Sequence, residues 1–172
     1  MKERVAKIGG GGTTVDAAAR AWERRAKGES LSEGEHACAE ELDATIEAMF
    51  LMAAVDGSVT QEETAQLGAS LQAFLDQRGH GGQLDVDAAL VQLSRRLERD
   101  GWTARLDAVA KRLHGEESRS FAFRLAVAVA FVDDHVAHAE AAAIDALSAA
   151  LQLTSEQADS ILHDVRDTLF PG

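Results

Sequence analysis

The sequence predicts an all-α protein, with about seven to eight helices in a compact bundle that carries an internal pseudo-twofold repeat. Three observations point there. Alanine, the strongest helix former, supplies 33 of 172 residues, whereas proline occurs once and tyrosine never. Three segments open with a Ser/Thr-x-x-Glu/Gln capping box, at Ser32–Glu35, Thr60–Glu63 and Thr154–Gln157. The apolar pattern of Ile46–Phe74 also returns at Phe123–Leu151. A β-sandwich would use proline and tyrosine in its turns and strands, and is disfavoured.

The elements follow in order. Gly9–Gly12 reads as a flexible linker. Val15, Ala18 and Trp22 lie at helical spacing in a charged helix from Thr13 to Lys27. Ser32 caps a long helix that runs to about Val55 and is broken by Asp56-Gly57-Ser58. Thr60 caps a helix to Gln77, and Gly79–Gly82 is a loop. Asp85 or Asp87 starts a helix to Arg99, and Gly101 separates it from Trp102–Leu113. Gly115 precedes a helix over 117–132, which Asp133-Asp134 interrupts. Helices over 138–151 and from Thr154 to just before Pro171 complete the chain.

Charge is uneven. The chain has net charge −12, but residues 1–30 carry seven Lys/Arg and four Asp/Glu, net +3, which leaves −15 for the remainder. An acidic body repels phosphate, so nucleic acid is excluded as a partner. The division expected is a basic N-terminal arm with its helix, residues 1–30, and a helical domain over 31–172 with repeat halves at 40–77 and 117–168. The arm is either an ordinary charged terminus or a segment that docks on the acidic body or on an anionic partner.

The single cysteine, Cys38, forms no intramolecular disulfide, which suits a reducing cytoplasm. The first twelve residues lack the apolar core of a signal peptide. The longest apolar runs, Ala48–Val55 and Leu125–Val132, fall well short of the roughly 20 residues that span a bilayer. A cytoplasmic protein without membrane insertion is expected.

The two repeat segments align without a gap at an offset of 77 residues. Val55 matches Val132, Asp56 matches Asp133, Val59 matches Val136, Glu63 matches Glu140 and Leu67 matches Ile144. Each half is an apolar helix, then Asp-x-x-Val-x-x-x-Glu, then an amphipathic helix. Helices apolar nearly all round belong at the centre of a bundle. Glu47 falls opposite Arg124, so these charges either pair near the repeat axis or reach outward to solvent.

This pattern, in AMFLMAAVDGSVTQEE, LAVAVAFVDDHVAHAE and ALQLTSEQADSIL, resembles the TerB family, named for tellurite resistance, over residues 40–164. The resemblance implies an all-helical fold with internal pseudo-twofold symmetry. It also implies acidic helix turns that bind metal or partner proteins. The second half departs from the family: Asp134 replaces the glycine of Asp56-Gly57, and Ala137 replaces Thr60. The first change loses an easy left-handed turn and adds a carboxylate; the second leaves the capping box incomplete.

Asp56-Gly57-x-Val59-x-x-x-Glu63 looks like the back half of an EF-hand loop. The oxygen ligands required four and two residues earlier are replaced by Met52 and Ala54, and by Val129 and Phe131 in the second half. Neither half is an EF-hand. If the halves face each other, Asp56, Glu63, Asp133 and Glu140 converge, with Asp134 and Glu62 as further contributors. An oxygen-rich site of that kind suits calcium, magnesium or manganese. The competing reading makes Glu63 the capping partner of Thr60 and Asp56 a turn residue, with Glu140 favoured by the helix dipole.

His135 and His138 beside Glu140 have a spacing seen in transition-metal sites. The first repeat has Ser58 and Gln61 there, so the histidines are not part of the repeated design. No P-loop, dinucleotide-binding glycine pattern or G-x-S-x-G occurs. Trp22 and Trp102 read as packing anchors and Cys38 as a plain thiol. The function expected is a non-enzymatic binding or sensing module of a bacterial stress system, taking a divalent cation or a protein partner, including a membrane-associated one. A metal-free adaptor for a basic partner and a metal-dependent hydrolase are the alternatives.

Overall fold

The computed structural model describes residues 12–55, 59–77, 86–132, 135–136 and 138–171. The described residues form eight helices: α1 (Gly12–Ala26), α2 (Glu33–Ala53), α3 (Gln61–Gln77), α4 (Val86–Asp100), α5 (Trp102–Arg112), α6 (Glu116–Ala130), α7 (His138–Ala150) and α8 (Ser155–Leu169). The architecture is the all-α bundle that composition and capping predict. None of these helices is long and apolar enough to cross a membrane.

The capping boxes at Ser32 and Thr154 form as their spacing requires, each with both reciprocal hydrogen bonds. One boundary differs from expectation. The helix read over 117–132 ends at Ala130, and Phe131–Val132 pairs antiparallel with His135–Val136 in a two-residue ladder. Phe131 has already turned to an extended backbone, φ −70° and ψ 127°. The break residues 56–58, the glycine loop 79–82 and the proposed cap Asp85 lie outside the described residues.

The core is centred on the two repeat helices. Ile46 through Met52 in α2 are all buried, as are Ala122, Phe123 and Leu125 through Ala130 in α6. A helix buried on every side needs neighbours on every side, and these two make the most extensive helix contact among the described residues. The other helices then cover them. α1 and α5 pack on α2, α8 packs on α6, and α7 touches α6, α2 and α5. α3 packs chiefly on α4, where a Cβ at Gly68 would meet Asp87 Oδ1 at 3.0 Å. Gly101, at φ +86°, makes the tight corner between α4 and α5 that other residues adopt only under strain.

The boundary expected at residue 30 does not separate an arm from a domain. Ala18, Ala19, Ala21 and Trp22 of α1 belong to the same buried cluster as α2 and α6. Arg24 bonds Glu35, while Arg25 bonds Glu40 and Asp43, so the basic helix docks on acidic positions of α2. Burial of one apolar face and three ion pairs make α1 part of the bundle.

The 77-residue register is visible in the helices. α2 ends at Ala53 and α6 at Ala130; α3 begins at Gln61 and α7 at His138. Glu41 and Ser118, also 77 positions apart, touch each other: Ser118 Oγ donates to Glu41 Oε2 at 2.9 Å. Contact between equivalent positions is the arrangement expected where a twofold axis passes between two helices.

Candidate functional site

The acidic turns named by the sequence are described only in part. Asp56, Asp133 and Asp134 lie outside the described residues, as do the side chains of His135 and His138. Glu63 stands in the first turn of α3 and closes a capping box: its backbone N–H donates to Thr60 Oγ1 at 3.1 Å, and its Oε2 accepts from Thr60 N–H at 3.0 Å. Glu62, beside it, is exposed. Glu140, in the first turn of α7, is partly buried and has no hydrogen-bonding partner among the described residues. No cluster of three or more His, Cys, Asp or Glu side chains is set to hold a metal ion among the described residues.

The most concentrated electrostatic feature lies elsewhere, on the first repeat helix. Glu47 is 1% exposed in the middle of α2. An isolated buried carboxylate is costly, so it requires charged partners. Arg105 of α5 supplies a fork, with Nε to Oε2 at 2.7 Å and Nη2 to Oε1 at 2.9 Å. Arg112, two turns further along α5, also donates to Oε1. Arg105 reaches on to Asp100 at 3.0 Å, and Arg99 holds that carboxylate at 2.7 and 3.0 Å. Hydrogen bonds from Arg99 and then Arg105 hold the Asp100 carboxyl at about 2. The Glu47 bond in turn raises the Arg105 pKa above its ordinary value.

Both oxygens of Glu47 are engaged, so the network clamps α5 onto α2 and leaves no carboxylate oxygen free for chemistry. Trp102 adds to the clamp, because its indole N–H donates to the Leu51 carbonyl at 2.8 Å near the C-terminal end of α2. The same carbonyl also accepts the Ala54 N–H at 3.2 Å, so the indole fills the second acceptor position of a carbonyl in the last turn. Sequence reading placed Glu47 against Arg124 or in solvent. Instead Arg124 bonds Asp164 of α8, and Glu47 is claimed by the spacer helix between the repeats. The signal available was the i, i+7 spacing of Arg105 and Arg112, which puts both guanidiniums on one face of α5.

A third cation stands at the edge of this network. Arg96 of α4 approaches Glu47 Oε1 only to 3.9 Å, beyond hydrogen-bonding reach. It lines a cavity of about 200 Å³ between α1, α2 and α4. The polar walls are Arg25, Asp43, Gln92 and Arg96. The apolar ones are Trp22, Ile46, Ala89 and Leu93. Burial raises the Asp43 carboxyl above its usual value, against the pull of its bond from Arg25. A wider groove of about 620 Å³ runs between α3 and α4 beside Val91, which is 48% exposed. No family model, curated protein or solved structure matches the chain.

Proposed function

We propose that the chain is a non-enzymatic, TerB-like binding module that takes a divalent cation (calcium, magnesium or manganese) or a protein partner at its acidic helix turns. The resemblance would give it a part in a bacterial stress system of the tellurite-resistance type. The observation that supports this reading is the repeat itself. Equivalent helix ends fall 77 residues apart, and the equivalent positions Glu41 and Ser118 touch. A near-symmetric pair of hairpins would then bring its two acidic turns into related positions.

Thermal melting with calcium or manganese tests the cation. A ligand that binds only the folded state stabilises it by about 2.7 kcal/mol at a hundredfold excess over Kd. For a chain of this length the midpoint rises by roughly 5 °C or more. The control is monovalent salt at matched ionic strength, because an acidic body gains from screening alone. The double variant Asp56→Asn, Asp133→Asn should lose the cation response and keep the salt response.

A second reading, the metal-free adaptor, is favoured by one specific observation: the Glu63 carboxylate is engaged in the Thr60 capping box. Equal responses of wild type and double variant would favour that reading.

A further inference from the structure

We propose that the cavity between α1, α2 and α4 binds a free amino acid with an apolar side chain, its carboxylate held by Arg96 and its ammonium by Asp43. The cavity presents one group of each sign whose hydrogen-bonding capacity is only partly used among the described residues. Arg25 is occupied, since it bonds both Glu40 and Asp43. Arg96 is held only by charge: it pairs with Glu47 at 3.9 Å, beyond hydrogen-bonding reach, so its donors make no hydrogen bond among the described residues. A guanidinium with unengaged donors is a fitting receptor for a carboxylate.

Asp43 supplies the other charge. Its Oδ2 accepts from Arg25, and its Oδ1 accepts no hydrogen bond among the described residues. The side chain is 24% exposed, so the carboxylate has given up much of its water with one oxygen still unpaired. Its raised pKa is what such desolvation produces, and an ammonium ion delivered to Oδ1 would offset it.

The remaining wall is hydrocarbon. Trp22, Ile46 and Leu93 are 8%, 2% and 5% exposed and form a fixed apolar surface beside the two charges. A volume of about 200 Å³ is several times the roughly 30 Å³ share of one water, room for a molecule of about ten heavy atoms. A single anion would leave Asp43 Oδ1 without a donor, and a single cation would leave the Arg96 donors without an acceptor. A peptide terminus carries only one of the two charges. A small zwitterion with an aliphatic or aromatic side chain answers both and covers the apolar wall.

The experiment uses the full ¹⁵N-labelled chain and leucine as probe, followed by amide and tryptophan indole resonances. Leucine should shift the Trp22 indole signal and amides of α1, α2 and α4 in a saturable way at millimolar concentration. N-acetyl-leucine, which lacks the ammonium, and leucinamide, which lacks the carboxylate, should each bind about tenfold more weakly or worse, the expected loss for a charge-assisted hydrogen bond. Arg96→Gln and Asp43→Asn should weaken leucine binding similarly. Arg96 makes no hydrogen bond among the described residues, so the first variant should keep the helical circular dichroism of wild type. The double variant at Asp56 and Asp133 should bind leucine normally, which separates this pocket from the acidic turns. Three results would overturn the proposal: no saturable shift with leucine, binding of either blocked derivative as tight as that of leucine, or undiminished binding in a folded Arg96→Gln protein.

Discussion

Glu47 and Arg124 stand at equivalent positions in the two repeat helices, and the bundle treats them in opposite ways. Glu47 is 1% exposed and meets two guanidiniums of α5 within bonding reach. Arg124 is 31% exposed and pairs with Asp164, itself 60% exposed, at the edge of α8. The first repeat helix is roofed by α1 and α5, whereas the second is covered by α8 and α7. A duplicated segment therefore shares its helix ends but not its electrostatics. What each position becomes depends on which unduplicated helix is laid over it.

The largest break in this comparison comes from removing the first half's cover. Deletion of residues 1–28 takes Ala18, Ala19, Ala21 and Trp22 out of the core and bares the flank of α2. Trp22→Ala alone should cost about 3–5 kcal/mol. The deletion should abolish the cooperative thermal transition, read by circular dichroism. A truncated chain that melts as sharply as wild type would restore the arm as a separable piece.

Next come the paired positions themselves. Glu47→Ala leaves Arg105 and Arg112 facing each other across a buried gap and should cost about 3–5 kcal/mol in urea unfolding. Arg124→Ala removes a rim ion pair and should cost at most about 1 kcal/mol. Equal losses would mean that the repeat, rather than its cover, decides what these charges are worth.

A smaller difference concerns the second helix of each hairpin. Thr60→Ala should cost about 1 kcal/mol, because Thr60 Oγ1 accepts the Glu63 N–H. The reverse change at the equivalent position, Ala137→Thr, should add stability of similar size by completing a capping box with Glu140. If it adds nothing, Glu140 is held by something other than its helix start.

The smallest effects are read by pH. The Asp100 carboxyl is depressed to about 2 from 3.8. Its contribution to stability is complete above 3.8 and is lost as pH falls through about 2. The Asp43 carboxyl is raised, chiefly by burial, so the sign reverses. Its contribution is complete below 3.8 and is lost as pH rises through the raised value. Carboxyl resonances followed from neutral pH to acid should titrate in that order, Asp43 before Asp100. The opposite order would place the better-held carboxylate on the wrong helix.

The local chemistry was legible in the chain. Ser32, Thr60 and Thr154 each specify a helix start through a residue three positions away, and those hydrogen bonds form. Ala18 and Trp22 mark the buried face of α1, and the apolar runs of α2 and α6 mark the centre of the bundle. These signals act over a few residues, so they survive without knowledge of the fold. The pairing of Glu47 with Arg105 and Arg112, 58 and 65 residues distant, did not show itself. Neither did the cavity, whose walls come from three helices. Charge carries no address in a sequence. A carboxylate within an apolar helix declares that it needs a partner, but only the packing of α5 across α2 selected which guanidiniums arrive. The same packing put Arg96 at the edge of that network, in the wall of the cavity that Asp43 also lines.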